Sequence, residues 1–115
     1  MKNAAIFATL VLISACASQG PAPAPTAEER GQAMVEQHCS GCHATGRTGD
    51  SPAPEAPPFR TLSANYRVDA LQEAFAEGIT VGHPAMPNFT FAPEDVEALI
   101  VYLESIQDEP SPAQQ

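Results

Sequence analysis

Two cysteines and a histidine form the stretch of this 115-residue chain whose residue types and spacing could do chemistry, Cys39-Ser40-Gly41-Cys42-His43. Thiols at positions i and i+3 share one face of a helical turn. Both sulfurs can therefore reach the two vinyl groups along one edge of a haem, and this spacing is that of covalent haem attachment. His43 comes round beneath the ring. The motif thus predicts a covalently held haem with His43 as an axial iron ligand.

Two other sites could use the same cysteines. A redox dithiol of the thioredoxin type belongs to a βαβ unit, whereas the residues before Cys39 predict a helix. A zinc site needs four ligands. The adjacent Cys42 and His43 fit one tetrahedron poorly, and only His38 and His83 remain to complete it. A test for covalent haem separates these alternatives, and we assign no function to His38.

A haem that transfers electrons usually has a sixth ligand on its other face. Met86 lies between Ala85 and Pro87, in a proline-rich segment that predicts a stiff loop rather than a helix. His83, three residues earlier, is the rival ligand. With both axial positions filled, the iron has no open place for a substrate. We therefore predict an electron carrier and not an enzyme.

The N-terminal residues predict export and a membrane tether. An apolar run from Ala4 to Ile13 is too short to span a bilayer but suits a secretory signal. The sequence Ile13-Ser14-Ala15-Cys16 resembles the bacterial lipoprotein signal, which is cleaved before a cysteine that then carries lipid. Residues 1–15 are therefore predicted to be a signal peptide, and residues 16–26 a lipid-anchored Pro/Ala-rich tether. The alternative is an ordinary signal peptide that leaves Cys16 as a free thiol.

Residues 27–108 predict one all-α domain with three main helices, and residues 109–115 a flexible tail. Thr26 suits the cap of the first helix, which runs into Cys39. Glycine and proline between residues 44 and 58 predict a loop. Further helical segments are expected over residues 59–66 and 68–77, with Gly78 as a stop.

The last helix is expected to begin at Pro93, a residue suited to a first helical turn. Its apolar stripe consists of Val96, Leu99, Ile100 and Leu103. Glycine at position 31 makes the first helix less stable than alanine would, by about 1 kcal/mol. A glycine there is therefore explained best by close packing, and we predict that a second helix crosses at this point.

The charge of the chain excludes some partners. From Cys16 onward, four arginines and no lysine stand against fourteen acidic residues, which gives a formal net charge of −10. Nucleic acid and anionic lipid surfaces are poor partners for such a domain. We expect transient redox protein partners, membrane contact through lipid on Cys16, and no small-molecule substrate.

Taken together, these segments resemble a small bacterial class I c-type cytochrome with one haem. The resemblance extends from about Gly31 to Leu103 and is carried by the CSGCH motif, Ala56-Pro57-Pro58-Phe59, Gly78-Ile79, Met86-Pro87, and Leu99, Tyr102 and Leu103. It implies a cytochrome c-like fold wrapped around one covalent haem c, with the first and last helices crossing near Gly31 and Tyr102. It also implies that the Pro57 carbonyl accepts a hydrogen bond from the far nitrogen of His43.

The haem propionates would need polar partners. We name Arg60 and Tyr66 as candidates, and Arg47, Arg67 and Asn88 as further ones. The domain departs from many relatives in having no lysine, so a basic docking ring around the haem edge is not expected.

The resemblance implies a one-electron carrier at the periplasmic side of a bacterial membrane, with His43 and Met86 as axial ligands. Two other functions stay open. One is a cytochrome subunit of a periplasmic dehydrogenase or oxidase complex. The other is a gas sensor in which the Met86 bond is labile or absent.

Overall fold

The computed structural model of the chain describes residue 20, residues 22–78 and residues 85–108. Its α-helices are α1 (Ala27–His38), α2 (Leu71–Glu77) and α3 (Pro93–Ser105). Two 3₁₀-helices, Phe59–Ala64 and Val68–Ala70, lie between α1 and α2, and these ranges contain no strand. The predicted all-α fold with three main helices is therefore confirmed. Three predicted features lie outside the described residues. They are the signal peptide together with Cys16, the rival ligand His83, and the C-terminal tail.

The first helix begins at the predicted cap. Thr26 Oγ1 accepts a hydrogen bond from the Glu29 N–H at 3.2 Å, and Glu29 Oε2 accepts one from the Thr26 N–H at 2.7 Å. This capping box satisfies backbone donors that the helix leaves without partners. The bond from the Thr26 backbone, and then that with its side chain, lower the pKa of the Glu29 carboxyl.

Removal of this cap should destabilise the domain at neutral pH. We expect Thr26→Ala to lower the free energy of unfolding by about 1 kcal/mol, because alanine offers no acceptor to the first turn. The contribution of the Glu29 carboxylate is complete above its ordinary pKa of 4.5 and is lost as the pH falls through its lower value in the folded protein. The Thr26 N–H, which alanine keeps, supplies the larger part of this contribution and the Thr26 side chain the smaller part, so the effect of Thr26→Ala should shrink in acid only by that smaller part.

Urea unfolding at neutral and acidic pH measures this difference. Thr48, an exposed threonine in the loop after α1, supplies the matched control Thr48→Ala. An equal loss of stability in both variants would contradict the role of the cap.

The first and last helices cross at Gly31. A β-carbon added there would lie 2.8 Å from Tyr102 Cβ and far inside the contact distance of the Ala98 carbonyl oxygen. Only glycine allows the two backbones to approach this closely. The predicted close crossing near Gly31 and Tyr102 is thus present, and it fixes the end of α1 relative to α3.

The core lies where α3 packs against α1 and the two 3₁₀-helices. All four apolar residues of the predicted α3 stripe are buried. The core cluster comprises Val35, Phe59, Leu62, Val68, Leu99, Tyr102, Leu103 and Ile106. Full burial of one large aliphatic side chain stabilises a fold by about 1.5–3 kcal/mol, so this cluster is a main source of the stability that holds Phe59 in place.

The second helix is shorter than the pattern of its sequence predicts. Residues 68–70 form a 3₁₀-turn before the α-helical part begins at Leu71. The helix ends at Gly78, as predicted, where φ is +105° and the N–H donates to the Ala74 carbonyl at 2.9 Å. Among the described helices, none has the length and apolar character that crossing a bilayer requires.

Candidate functional site

The end of α1 places the two thiols and the histidine in one tight turn. Cys39 caps the helix, and its N–H donates to the Val35 carbonyl at 2.9 Å. The N–H groups of Cys42 and His43 then both donate to the Cys39 carbonyl, at 3.1 and 2.9 Å. Both thiols are free; that of Cys42 is exposed, whereas burial raises the pKa of the Cys39 thiol to about 11. The motif therefore presents its three functional side chains from a single turn of backbone.

Two contacts from the segment after the loop hold the His43 ring. Its Nδ1 lies 2.8 Å from the carbonyl oxygen of Pro57. Its ring stacks on Phe59, with centroids 4.5 Å apart and planes inclined by 30°. When Nδ1 carries the proton, His43 donates to Pro57 and Nε2 keeps a lone pair. A metal-binding histidine is commonly oriented in this way.

A cavity of about 320 Å³ joins the residues that the sequence singles out. Cys39, Cys42 and His43 line it, together with Pro57 and Met86. Much of the remaining lining is apolar and includes Val35, Leu62, Leu71, Phe75, Phe91 and Leu99. Small-molecule and cofactor sites are typically cavities of about 300–1,000 Å³ with mostly apolar walls. An apolar cavity with two thiols, an imidazole and a thioether fits a haem.

The predicted sixth ligand faces the same cavity as the fifth. Met86 is partly buried and lines the cavity with His43. A thioether is a known axial donor to haem iron in His/Met cytochromes. The rival His83 lies outside the described residues, so the choice between the two stays a prediction.

Residues 26–103 match the protein family described as cytochrome c oxidase, cbb3-type, subunit III. The chain belongs to this family. As a c-type cytochrome domain of that family, it carries a covalently bound haem c and takes part in haem-based electron transfer. The resemblance to a monohaem c-type cytochrome and the haem c cofactor are thereby confirmed. No curated protein and no solved structure is significantly similar to the chain.

The polar residues predicted to contact the propionates of this cytochrome separate into two groups. Tyr66 lines the cavity and is 42% exposed, and partial burial raises the pKa of its hydroxyl. Arg60 instead donates from Nη1 to the Gly49 carbonyl at 2.7 Å, and its Nε lies 3.5 Å from Asp108 Oδ2. Tyr66 is therefore placed at the cofactor cavity, and Arg60 is not among the residues lining it.

The further candidates also lie off the cavity lining. Arg47 donates to the Ser105 carbonyl, and Arg67 pairs with Asp69. Asn88 is exposed and adjoins Gly78. A propionate role for any of these three, as for Arg60, stays a prediction.

Two features of the haem cavity had no direct signal in the sequence. The first is the stack of Phe59 on His43. Its only indirect signal is that Phe59 comes two residues after Pro57, the predicted partner of His43. The other is an aromatic group in which the His38 ring lies 5.6 Å from Phe89 and 5.7 Å from Phe91. His38 is exposed and also lines the cavity.

The alternative of a zinc site gains no support from the part of the chain that the structure describes. There, no three His, Cys, Asp or Glu side chains form a group that could hold a metal ion. The cysteine pair also follows a helix and not a strand, which disfavours a thioredoxin-like dithiol.

Proposed function

We propose that the protein is a one-electron carrier whose single haem is attached through Cys39 and Cys42 and bound axially by His43 and Met86. The observation that carries this proposal is the cavity that brings these four side chains together. When bound, the haem supplies reversible one-electron exchange between Fe(II) and Fe(III). The bond between His43 Nδ1 and the Pro57 carbonyl holds the imidazole in one tautomer and orientation.

The environment of the cavity favours the reduced state. Glu55 is the only residue of formal charge among the described residues that line it. A thioether ligand and an apolar surrounding both raise the potential of a haem, because the oxidised iron carries the greater charge. We therefore propose a carrier that transfers electrons to and from proteins and converts no small-molecule substrate.

Covalent haem attachment can be tested directly. The parent protein, made in a host that matures c-type cytochromes, should retain haem on a denaturing gel. The double variant Cys39→Ser/Cys42→Ser should lose it, because neither thioether can form. A parent protein without bound haem would contradict the proposal and return the dithiol or zinc alternatives.

The proposal includes a membrane tether on the exported side. Cleavage before Cys16 and lipidation of its thiol would leave residues 16–26 as a spacer between the membrane and the domain. Each buried CH₂ of an acyl chain contributes about 0.8 kcal/mol, so two or three chains hold a protein stably at a bilayer. Cys16→Ser should move the protein from the membrane to the soluble fraction without changing its absorbance spectrum. Ser18→Ala is the matched control, and a Cys16→Ser protein that stays on the membrane would contradict the tether.

A haem subunit of a periplasmic oxidase or dehydrogenase complex is the second candidate. The description of the matched family as an oxidase subunit favours it. Native electrophoresis of membranes dissolved in mild detergent, followed by haem staining, discriminates the two. A free carrier migrates at the size of the chain alone, whereas a subunit migrates with a larger complex that has oxidase or dehydrogenase activity.

A further inference from the structure

We infer that Gln107 is a positioning residue for His43, because it clamps the Phe59 segment against the imidazole ring. Gln107 lies just beyond the end of α3, far in sequence from the haem motif, and does not line the cavity. The inference rests on the proposed role of His43 as an axial ligand.

The side-chain amide of Gln107 binds three backbone groups. Its Nε2 donates to the Phe59 carbonyl at 2.8 Å and to the Leu103 carbonyl at 2.6 Å. Its Oε1 accepts a hydrogen bond from the Ser63 N–H at 2.9 Å. Only this orientation of the amide gives two donors to the two carbonyl oxygens and an acceptor to the N–H. The amide therefore ties the last turn of α3 to both ends of the 3₁₀-helix Phe59–Ala64.

Phe59 is held from both sides by these bonds. Its N–H donates to the Ala44 carbonyl at 2.9 Å, directly after the haem motif, and its carbonyl accepts from Gln107. Its side chain is buried and stacks on His43. Because the backbone is fixed at its N–H and its carbonyl, the ring has little freedom to leave the imidazole.

A second pair of contacts holds the same segment to the residues after α3. The Asp108 N–H donates to the Arg60 carbonyl at 2.8 Å, and the Asp108 carboxylate lies 3.5 Å from Arg60 Nε. The guanidinium of Arg60 also donates to the Gly49 carbonyl in the loop. The ion pair with the exposed Asp108 carboxylate contributes little by itself, so the three hydrogen bonds of the Gln107 amide are the contacts that the inference rests on.

Two contacts of the segment set the orientation of the imidazole. The Pro57 carbonyl fixes the edge of the ring through Nδ1, and Phe59 fixes its face. Hydrogen bonding to the outer nitrogen also sets the basicity of the ligand. If the segment moves away, the ring can rotate about its bond to the iron and the Nδ1 proton becomes accessible to water.

Gln107→Leu, made in the full-length haem protein, tests this inference. NMR of the reduced protein measures the exchange of the His43 Nδ1 proton with solvent. We expect exchange to become faster by about tenfold, because loss of the Gln107 amide bonds frees the Phe59 segment and exposes the Nδ1 proton to water. The electron paramagnetic resonance spectrum of the oxidised protein should also broaden, because the imidazole plane adopts a range of orientations.

Three other variants make the test specific. Ile100→Val alters a buried residue of α3 that does not line the haem cavity, so it should lower the unfolding temperature and leave both signals of His43 unchanged. Phe59→Leu keeps an apolar side chain but removes the stack, and it should broaden the resonance spectrum. If Gln107→Leu does not fold, Gln107→Glu keeps the acceptor for Ser63 and loses both donors.

The outcomes separate the inference from the proposed function. Unchanged exchange and an unchanged resonance spectrum in a haem-loaded Gln107 variant would overturn the inference alone, even if the unfolding temperature falls. A parent protein without covalent haem would overturn the proposed function and, with it, the inference. Altered signals in the Gln107 and Phe59 variants, but not in Ile100→Val, would establish Gln107 as a positioning residue.

Discussion

Met86→Ala should make the reduced protein bind carbon monoxide rapidly, whereas the parent protein should not. In the proposed His43/Met86 site, alanine at position 86 offers no donor, so the iron would keep His43 and lose the ligand on its other face. The potential should fall by an amount on the order of 0.1 V or more, within the range of about 0.8 V over which axial ligands set haem potentials. The direction follows because the thioether favours Fe(II) over Fe(III).

Absorbance spectroscopy with carbon monoxide and a redox titration measure the two effects. Met34→Ala is the matched control, because Met34 lies on α1, packs against the core and does not line the cavity. It should bind no carbon monoxide and should change the potential little. His83→Ala, made beside them, tests the rival ligand.

The results identify the sixth ligand and decide between the electron carrier and the gas sensor. If His83→Ala, and not Met86→Ala, allows carbon monoxide to bind, the sixth ligand is His83. The protein would then still be an electron carrier, but with a lower potential. If the parent protein itself binds carbon monoxide rapidly, the iron is open in the native state. That result would contradict the carrier proposal and support the gas sensor.

The helices could be predicted because their signals are local. Thr26 and Glu29 form a cap within one turn, Pro93 starts α3, and Gly78 ends α2 with a positive φ. The CSGCH motif is local for the same reason, since its geometry depends on one turn of backbone. The burial of the α3 stripe follows from its period of 3.6 residues.

The bond between His43 and the Pro57 carbonyl was implied by the resemblance, but the contacts that hold the Phe59 segment beside His43 could not be predicted in this way. The Gln107 amide reaches Phe59 and Ser63 across more than forty residues, so its partners are set by the tertiary fold. Glutamine after a helix is also ordinary in sequence, because its side chain has donors and an acceptor that water satisfies equally well.

The placement of the arginines shows the same limit. Arg60 was a reasonable candidate for a propionate, yet its guanidinium donates to the Gly49 carbonyl and lies beside Asp108. Sequence gives the charge of a side chain but not which of several nearby acceptors it reaches. Tyr66, named from the sequence as a propionate candidate, does line the cavity.

Gly31→Ala should destabilise the domain more than other small-to-large changes in its helices. The added methyl group would overlap the Ala98 carbonyl oxygen and lie 2.8 Å from Tyr102 Cβ. Overpacking typically costs about 1–3 kcal/mol and more where backbone must move, and the better helix propensity of alanine returns only about 1 kcal/mol. We therefore expect a net loss of about 2 kcal/mol or more, and a fall in unfolding temperature of roughly 10 °C.

Gly46→Ala is the matched control, because no atom lies within 4 Å of a β-carbon added at that loop position. Its effect should stay within about 0.5 kcal/mol, as for other surface changes. Circular dichroism at rising temperature compares the variants in the haem-loaded protein. An equal, small effect in both would mean that α1 and α3 do not approach closely in solution.

The haem site should respond to Gly31→Ala less than the stability does. Cys39, at the end of α1, would be held by its thioether, while His43 is held by Pro57 and Phe59. If α1 shifts away from α3, the strain should therefore fall on the end of α1 at Cys39, and the position of His43 should change little. The absorbance spectrum of the folded variant should match that of the parent, as expected if the crossing stabilises the fold and residues 57–59 orient His43.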